Sequence, residues 1–268
     1  MTVHFYRNDL PDGLALGHVV AIDSETMGLD PRRDRLCLVQ LSSGDGDAHL
    51  VQIAPGQTRA PNLERMLSDP AVLKLFHFGR FDIAALQKAF GVVTAPVYCT
   101  KIAAKLTRTF TDRHGLKYLL LELLGIDISK QQQTSDWGAE TLTDAQKEYA
   151  ASDVLYLHRL KAELDTRLAR EGRTGLAQRC FDFLPTRAEL DLMGWGGETD
   201  VLEHWSPTAS YPLPDAPSRP GGRRLRRRHE KNQGRPARHR LVRGRRHRLH
   251  LRRPARVQSF ADRTRLAA

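Results

Sequence analysis

The sequence predicts an α/β fold in which helices flank a mixed β-sheet. Two observations carry this prediction. Strand-like apolar segments with intervening Gly, Asp and Pro turns dominate residues 3–76, and helical spacing of apolar residues dominates from residue 100 onward. Strands that precede helices able to pack on their sheet are typical of this fold class.

Five strands are predicted. Residues 19–26, which contain Val, Ala and Ile before two acids, have the composition of a buried strand. Residues 3–6 form a shorter strand before it, and residues 36–41 and 48–53 form two strands after it, separated by a turn rich in Gly and Asp. Strands joined by short turns are expected to be antiparallel neighbours. Residues 72–76 complete the set.

Helices follow the strands or alternate with them. The apolar spacing predicts helices over residues 62–67, 81–90, 116–124, 144–170, 176–183 and 185–193. Thr143, followed three residues later by Gln146, predicts a capping box at the start of the long fourth helix. Pro185 suits the first turn of the last one.

Charge divides the chain into two parts. The 268 residues include 40% hydrophobic residues, enough for a sizeable core, and carry a net charge of +11. Of the 42 Lys and Arg residues, 19 lie in residues 206–268, together with only 3 of the 31 acids, so residues 1–205 have a net charge of −5. The overall basic character therefore belongs to the C-terminal tail and not to the expected folded domain.

Cysteine usage and hydropathy suggest an intracellular environment. Cys37, Cys99 and Cys180 are far apart in sequence, which favours reduced thiols over a disulfide framework or a metal clip. We find no signal-like N-terminus and no apolar run of the roughly 20 residues that a membrane helix needs. A cytoplasmic protein without a membrane partner is expected.

The first candidate site residues lie at the end of the central strand. Residues i and i+2 of a strand point to the same face, so Asp23 and Glu25 lie side by side. A lone pair of this kind is more often a solvated strand end. Asp82 falls in the first turn of a predicted helix, where the helix dipole alone would favour it.

Further along the chain, Tyr149 and Asp153 lie one turn apart on the long helix, on a face that is otherwise mostly apolar. Taken alone, Asp153 could stay solvated at the edge of that face. Four acids with few basic residues in the same segments nevertheless favour a divalent cation site, and ligands that are all oxygen favour Mg²⁺ or Mn²⁺ over zinc.

Three segments together resemble a known family. Ala-Ile-Asp-Ser-Glu-Thr at residues 21–26, His-Phe-Gly-Arg-Phe-Asp at 77–82 and Tyr-Ala-Ala-Ser-Asp at 149–153 are similar to the three motifs of DEDD exonucleases, in the branch with a tyrosine. Residues 99–104 and 115–137 resemble ribonuclease D and its short relatives. The resemblance covers residues 3–205 and implies a ribonuclease H-like, five-stranded mixed sheet.

The resemblance also implies a mechanism with two metal ions. Asp23 would bridge both ions, Glu25 and Asp153 would bind the ion on the nucleophile side, and Asp82 would hold the other. Tyr149 would orient the attacking water, since a phenol with a pKa near 10 is a poor general base at neutral pH. The expected product is a nucleoside monophosphate released from a 3′ end.

Substrate contacts are implied at two places. Thr26, Met27 and Leu29 would lie beside the terminal sugar and base, although Met27 and Leu29 could equally be core residues. Ser135 and Trp137 would lie near the entrance, with packing as the alternative for Trp137. Arg80 and Lys101 are candidates for phosphate contacts, and solvated charges are the alternative.

By resemblance, the expected function is 3′-5′ exoribonuclease activity on single-stranded RNA 3′ ends, such as those of tRNA precursors. A 3′-5′ DNA exonuclease and an inactive nucleic-acid-binding protein are the alternatives, and the oligomeric state stays open. The Arg- and Pro-rich residues 206–268 are expected to be disordered. They could be an RNA-binding arm, a tail without a specific role, or the product of a frameshift.

Overall fold

The computed structural model describes residues 2–129, 131–196 and 200–202, all of which belong to one compact unit. The predicted tail, residues 206–268, and the predicted domain boundary at residue 205 lie outside the described residues. No helix among the described residues is long and apolar enough to cross a membrane.

Six strands form one mixed sheet. They are β1 (Val3–Arg7), β2 (Val19–Thr26), β3 (Leu36–Ser42), β4 (Ala48–Gln52), β5 (Leu73–Phe76) and β6 (Val97–Cys99), in the spatial order β1-β4-β3-β2-β5-β6. The antiparallel pairing of β2 with β3 and of β3 with β4 is confirmed. The prediction of five strands is wrong by one, because β6 has only three residues, too few to show a periodicity, and pairs in parallel with β5.

The described helices are α1 (Pro61–Ser68), α2 (Arg80–Phe90), α3 (Thr100–Thr107), α4 (Leu116–Leu124), α5 (Asp144–Leu155), α6 (Leu157–Arg170) and α7 (Thr174–Leu192). The predicted single helix over residues 144–170 is broken at Tyr156, whose backbone leaves the helical conformation at φ −107° and ψ 0°. The two halves pack on different partners, since α5 contacts β2, β3 and β4 whereas α6 contacts α3 and α4. No Gly or Pro marks this break in the sequence.

The prediction is also wrong for α7. The sequence predicts two helices, over residues 176–183 and 185–193, but Pro185 lies inside one continuous helix. Proline removes a backbone donor and usually ends or kinks a helix. Here Leu184 and Ala188 on either side are buried in the main core, so tertiary packing outweighs the local cost.

The middle of the sheet is fully enclosed. Every residue of β3 is buried, as expected for a strand that is covered on both faces. In β2, the residues from Val20 to Ile22 are completely inaccessible, whereas Asp23, Glu25 and Thr26 toward the end of the strand are partly accessible. The strand is therefore anchored in the core, and its two acids, Asp23 and Glu25, lie at its accessible end.

The capping box at the start of α5 is confirmed. Thr143 Oγ1 accepts the backbone N–H of Gln146 at 3.2 Å, and Gln146 Oε1 accepts the backbone N–H of Thr143 at 2.9 Å. Loss of such a cap typically costs about 1 kcal/mol. We expect Thr143→Ala to lower the free energy of unfolding by about that amount in chemical denaturation.

Thr166→Ala is the matched control, because the Thr166 hydroxyl donates to Ala162 O within α6 and caps no helix end. A loss in Thr166→Ala equal to that in Thr143→Ala would contradict the assignment of the cap.

Candidate active site

Two acids enter the site from the end of β2. Asp23 and Glu25 face Gln40 and Leu38 of β3 in the antiparallel register, and the register shifts between Glu25 and Thr26. Such an irregularity ends regular pairing directly after the acids. The side chains of Asp23 and Glu25 are thereby held on one face, at the C-terminal end of an inner strand of the sheet.

A third acid comes from α5. Asp153 lies near the C-terminal end of that helix, and Asp23, Glu25 and Asp153 each offer one carboxylate oxygen, with all these oxygens within 4.8 Å of one another. All three residues are partly exposed, so a ligand could reach them. Residues 130 positions apart in sequence are thus brought together as predicted.

The electrostatics of this acidic cluster, Asp23, Glu25 and Asp153, are strongly unfavourable for free carboxylates. Burial, followed by repulsion from Asp153 and Asp82, raises the pKa of Glu25 to about 9. Burial is also the largest cause that raises the pKa of Asp23 well above its usual value, and Asp82, Asp153 and Glu25 raise it further. The charges that raise the pKa values of Asp23 and Glu25 are those of other carboxylates. A divalent cation that takes oxygen ligands would offset this repulsion, so such an ion fits the cluster.

Asp82, the fourth acid, is held by a contact that the sequence did not reveal. It lies in the first turn of α2, is 5% exposed, and accepts a hydrogen bond from Ser24 Oγ to its Oδ1 at 2.6 Å. Burial raises the pKa of Asp82 to about 7, and the Ser24 hydrogen bond opposes that rise. Ser24 therefore orients Asp82 and favours its charged form.

Tyr149 lies beside the cluster as a neutral phenol. Its pKa is raised by burial first and then by the charges of Asp153, Glu25 and Asp23. The ring of Trp137 packs against it, with the two centroids 6.0 Å apart. Trp137 is only 4% exposed, which favours the alternative of packing for this residue, and a contact with substrate stays a prediction.

None of the other predicted substrate contacts among the described residues, Thr26, Met27, Leu29 and Ser135, is a buried core residue. Leu29 is 90% exposed and Met27 is 52% exposed, which argues against the core alternative for both. The Thr26 hydroxyl donates to Gly28 O at 2.5 Å, and Ser135 Oγ donates to Gln132 Oε1 at 2.6 Å. Their contacts with a substrate stay predictions.

The two candidate phosphate ligands already have protein partners. Arg80 donates from Nε and Nη2 to the two carboxylate oxygens of Asp191, at 2.5 and 2.7 Å. Lys101 Nζ lies 3.6 Å from the centroid of the Phe78 ring. Arg80 is thus a structural residue that joins α2 to α7, and Lys101 supports an aromatic ring.

Comparison with known proteins places this geometry in a family. The profile of a 3′-5′ exonuclease family matches residues 8–169. Ribonuclease D of Acidiphilium cryptum is 39% identical over 164 residues, which are 61% of this chain and 41% of that protein. The chain therefore spans about two fifths of the length of this curated relative.

Solved structures give a longer match. NrnC of Brucella melitensis with bound Mg²⁺ is 60% identical, with a TM-score of 0.72, and the match covers 76% of this chain and all of that one. The same Brucella protein bound to pGG is 61% identical with a TM-score of 0.73 and the same coverage. The described sheet and helices thus correspond to a protein that binds Mg²⁺.

Ser24→Ala tests the orientation of Asp82. Removing this side-chain donor to the Asp82 carboxylate should weaken Mg²⁺ binding about 10- to 100-fold, as loss of a ligand's hydrogen-bond partner commonly does. Isothermal titration with MgCl₂ measures this directly.

Ser42→Ala is the matched control, because Ser42 is also a buried strand serine and its hydroxyl donates to Asp47 O, away from the acids. Equal Mg²⁺ affinities in Ser24→Ala and wild type would contradict the role of Ser24.

The raised pKa values predict how stability depends on pH. With its pKa raised to about 9, Glu25 binds more protons in the folded state than in the unfolded state between pH 4.5 and 9. The stability that such a carboxyl group contributes is fully present below its pKa in the unfolded state and is lost as the pH rises through its pKa in the folded state. Asp82, with a folded pKa of about 7, acts in the same direction.

Without divalent cations, the melting temperature should therefore fall between pH 5.5 and 9, and saturating Mg²⁺ should raise it more at pH 9 than at pH 5.5. Glu25→Gln should flatten this profile in differential scanning calorimetry. A metal-free protein that is more stable at pH 9 than at pH 5.5 would be the contrary result.

Proposed function

Because the chain belongs to the 3′-5′ exonuclease family, we propose that it removes nucleotides one at a time from the 3′ end of RNA. The observation that carries the proposal is the acidic cluster of Asp23, Glu25 and Asp153, with Asp82 and Tyr149 beside it. Water attacks the terminal phosphorus, and the bond from phosphorus to the 3′ oxygen breaks. The products are a nucleoside 5′-monophosphate and a shortened chain with a new 3′-hydroxyl.

We propose two divalent ions as cofactors, Mg²⁺ or Mn²⁺. When bound, they supply the positive charge that makes water a better nucleophile and stabilises the leaving oxygen. Asp23, Glu25 and Asp153 are the residues that would hold them, with Asp82 as a further ligand. The bound Mg²⁺ of Brucella NrnC supports this choice of metal.

The chain's own groups act on water and substrate. Tyr149 keeps its proton across the physiological range and donates it in a hydrogen bond to the Asp153 carboxylate, so the phenol oxygen can accept a hydrogen bond from the attacking water and orient it. Trp137 fixes the Tyr149 ring by packing. Leu29 and Met27 are exposed directly after the β2 acids, where the terminal nucleotide of the substrate would lie.

RNA is the proposed substrate because of the relatives. Curated proteins of 30–39% identity are named ribonuclease D, and pGG, bound by Brucella NrnC, is a short guanine-containing ligand. Short single-stranded RNA with a free 3′ end is therefore the substrate class we favour. The 2′-hydroxyl is what distinguishes RNA from the competing DNA substrate.

The proposal is tested with 5′-labelled RNA and DNA of the same sequence, incubated with Mg²⁺, Mn²⁺ or EDTA. We expect a ladder that shortens from the 3′ end, requires metal, and forms faster on RNA. Asp153→Ala should remove essentially all turnover, because it deletes one of the three clustered oxygens, while its circular dichroism spectrum stays unchanged.

The matched control is Asp182→Ala. Asp182 is an acid on α7 whose carboxylate accepts a hydrogen bond from Gln178, and it is not one of the proposed site residues. Equal rates on DNA would overturn the RNA assignment alone. Normal turnover in Asp153→Ala would overturn the assignment of the active site.

A further inference from the structure

Gln40 lies in the middle of the sheet, on β3, next to the strand that carries two of the acids. In the antiparallel pair of β2 and β3 it is directly opposite Asp23. Residues that face each other across such a pair project from the same face of the sheet, with Cβ atoms about 4.5–5.5 Å apart. The long side chain of Gln40 therefore starts within reach of the Asp23 carboxylate.

The amide of Gln40 is fully buried and unpaired. Gln40 is 0% exposed, and neither its Nε2 nor its Oε1 has a hydrogen-bond partner among the described residues. A buried amide without partners costs free energy, and most buried polar side-chain atoms of folded proteins are paired. An apolar side chain would fill the same space without this cost, so the packing of β3 does not explain an amide at this position.

The neighbours of Gln40 within the sheet favour Asp23 as the acceptor for its Nε2. Leu50, directly opposite on β4, and Leu38, two residues back along β3, are apolar. Ser42, two residues ahead, already donates and accepts hydrogen bonds in the turn between β3 and β4. Among these positions, only Asp23 offers charged acceptor oxygens.

The diagonal neighbour on β4, Gln52, is directed away from Asp23. Its Nε2 donates to Ala139 O at 2.9 Å and to Glu140 O at 3.4 Å. Glu140 O also accepts from Arg7 at the end of β1, on the far side of β4. This second amide is therefore held toward β1 and away from β2.

A neutral donor suits a carboxylate that binds a cation. It orients the carboxylate oxygens without cancelling their charge, as the ammonium group of a lysine would do. Asp82 already has such a donor, since Ser24 Oγ donates to its Oδ1 at 2.6 Å. Carboxylates that bind metals are commonly held by hydrogen bonds of this kind.

We propose that Gln40 is a positioning residue for the metal site: its Nε2–H donates a hydrogen bond to the Asp23 carboxylate and holds that side chain in the orientation that binds a divalent cation. The contact belongs to the metal-bound state of the protein. The inference rests on the proposed function, in which Asp23 is a metal ligand.

Gln40→Met in the full chain tests this role, because methionine keeps the length and approximate volume of glutamine and lacks the amide. Its Kd for Mg²⁺, measured by isothermal titration with MgCl₂, should rise about tenfold. The melting temperature of the metal-free protein, measured in EDTA, should stay equal or rise, because an unpaired buried amide is removed. Weaker metal binding without loss of stability is not expected from a residue that only supports the fold.

Gln52→Met is the matched control, because Gln52 is also a buried glutamine, on the neighbouring strand and 9% exposed. This variant loses two hydrogen bonds, so its melting temperature should fall while its Kd for Mg²⁺ stays that of wild type.

Equal Mg²⁺ affinities in Gln40→Met and wild type would overturn the inference. So would a loss of affinity that Gln52→Met shares, together with an equal fall in melting temperature, since both variants would then only loosen the sheet.

Metal binding is measured apart from turnover, which separates this inference from the proposed function. If wild type binds Mg²⁺ and hydrolyses no RNA, the proposed function fails and the comparison of Gln40→Met with wild type still decides the role of Gln40. If wild type hydrolyses RNA and Gln40→Met binds Mg²⁺ equally well, the inference alone fails. A wild-type chain that binds no divalent cation would overturn both.

A crystal structure of the full chain with Mg²⁺ checks the contact itself. Gln40 Nε2 should lie about 2.7–3.2 Å from a carboxylate oxygen of Asp23. A separation above about 3.5 Å in the metal-bound protein would exclude the hydrogen bond.

Discussion

Repulsion among four carboxylates is the constraint on which the structure of the site depends. Burial and the charges of Asp82 and Asp153 raise the pKa values of Asp23 and Glu25, and burial raises the pKa of Asp82. Isolated acids at such spacing would move apart. They stay together because each is fixed to a rigid element. Asp23 and Glu25 lie on β2, which is paired on both sides, Asp82 lies on α2, and Asp153 lies on the capped helix α5. The resulting charge favours binding of divalent cations.

The sequence alone predicts those parts of the site that follow from local strand and helix geometry. The spacing of Asp23 and Glu25 on a strand placed both on one face, and the spacing of Tyr149 and Asp153 on a helix did the same. The capping box at Thr143 was predicted from two residues and is formed by two hydrogen bonds. That the four acids converge came from resemblance to a family, since no local pattern reports a distance between residues 23 and 153.

What the sequence did not reveal depends on tertiary packing. The break at Tyr156 and the continuous helix through Pro185 both contradict local propensity, because the partners of α5, α6 and α7 decide where each helix ends. The burial of Trp137 is a further example, since its neighbours Cys37, Leu50 and Ala150 come from three different elements. Phe78, between β5 and α2, has a φ of +66°, a conformation that composition does not predict for an aromatic residue.

The position of α7 shows how far the catalytic unit extends. The family profile ends at residue 169, before α7 begins at Thr174. Yet Asp191 of α7 binds Arg80, two residues before Asp82, and Arg187 donates to the same carboxylate at 2.9 Å. Asp191 thereby links the first turn of α2, which carries Asp82, to a helix that lies beyond the residues matched by the family profile. The coverage of Brucella NrnC, which reaches 76% of this chain, is consistent with a catalytic unit that includes α7.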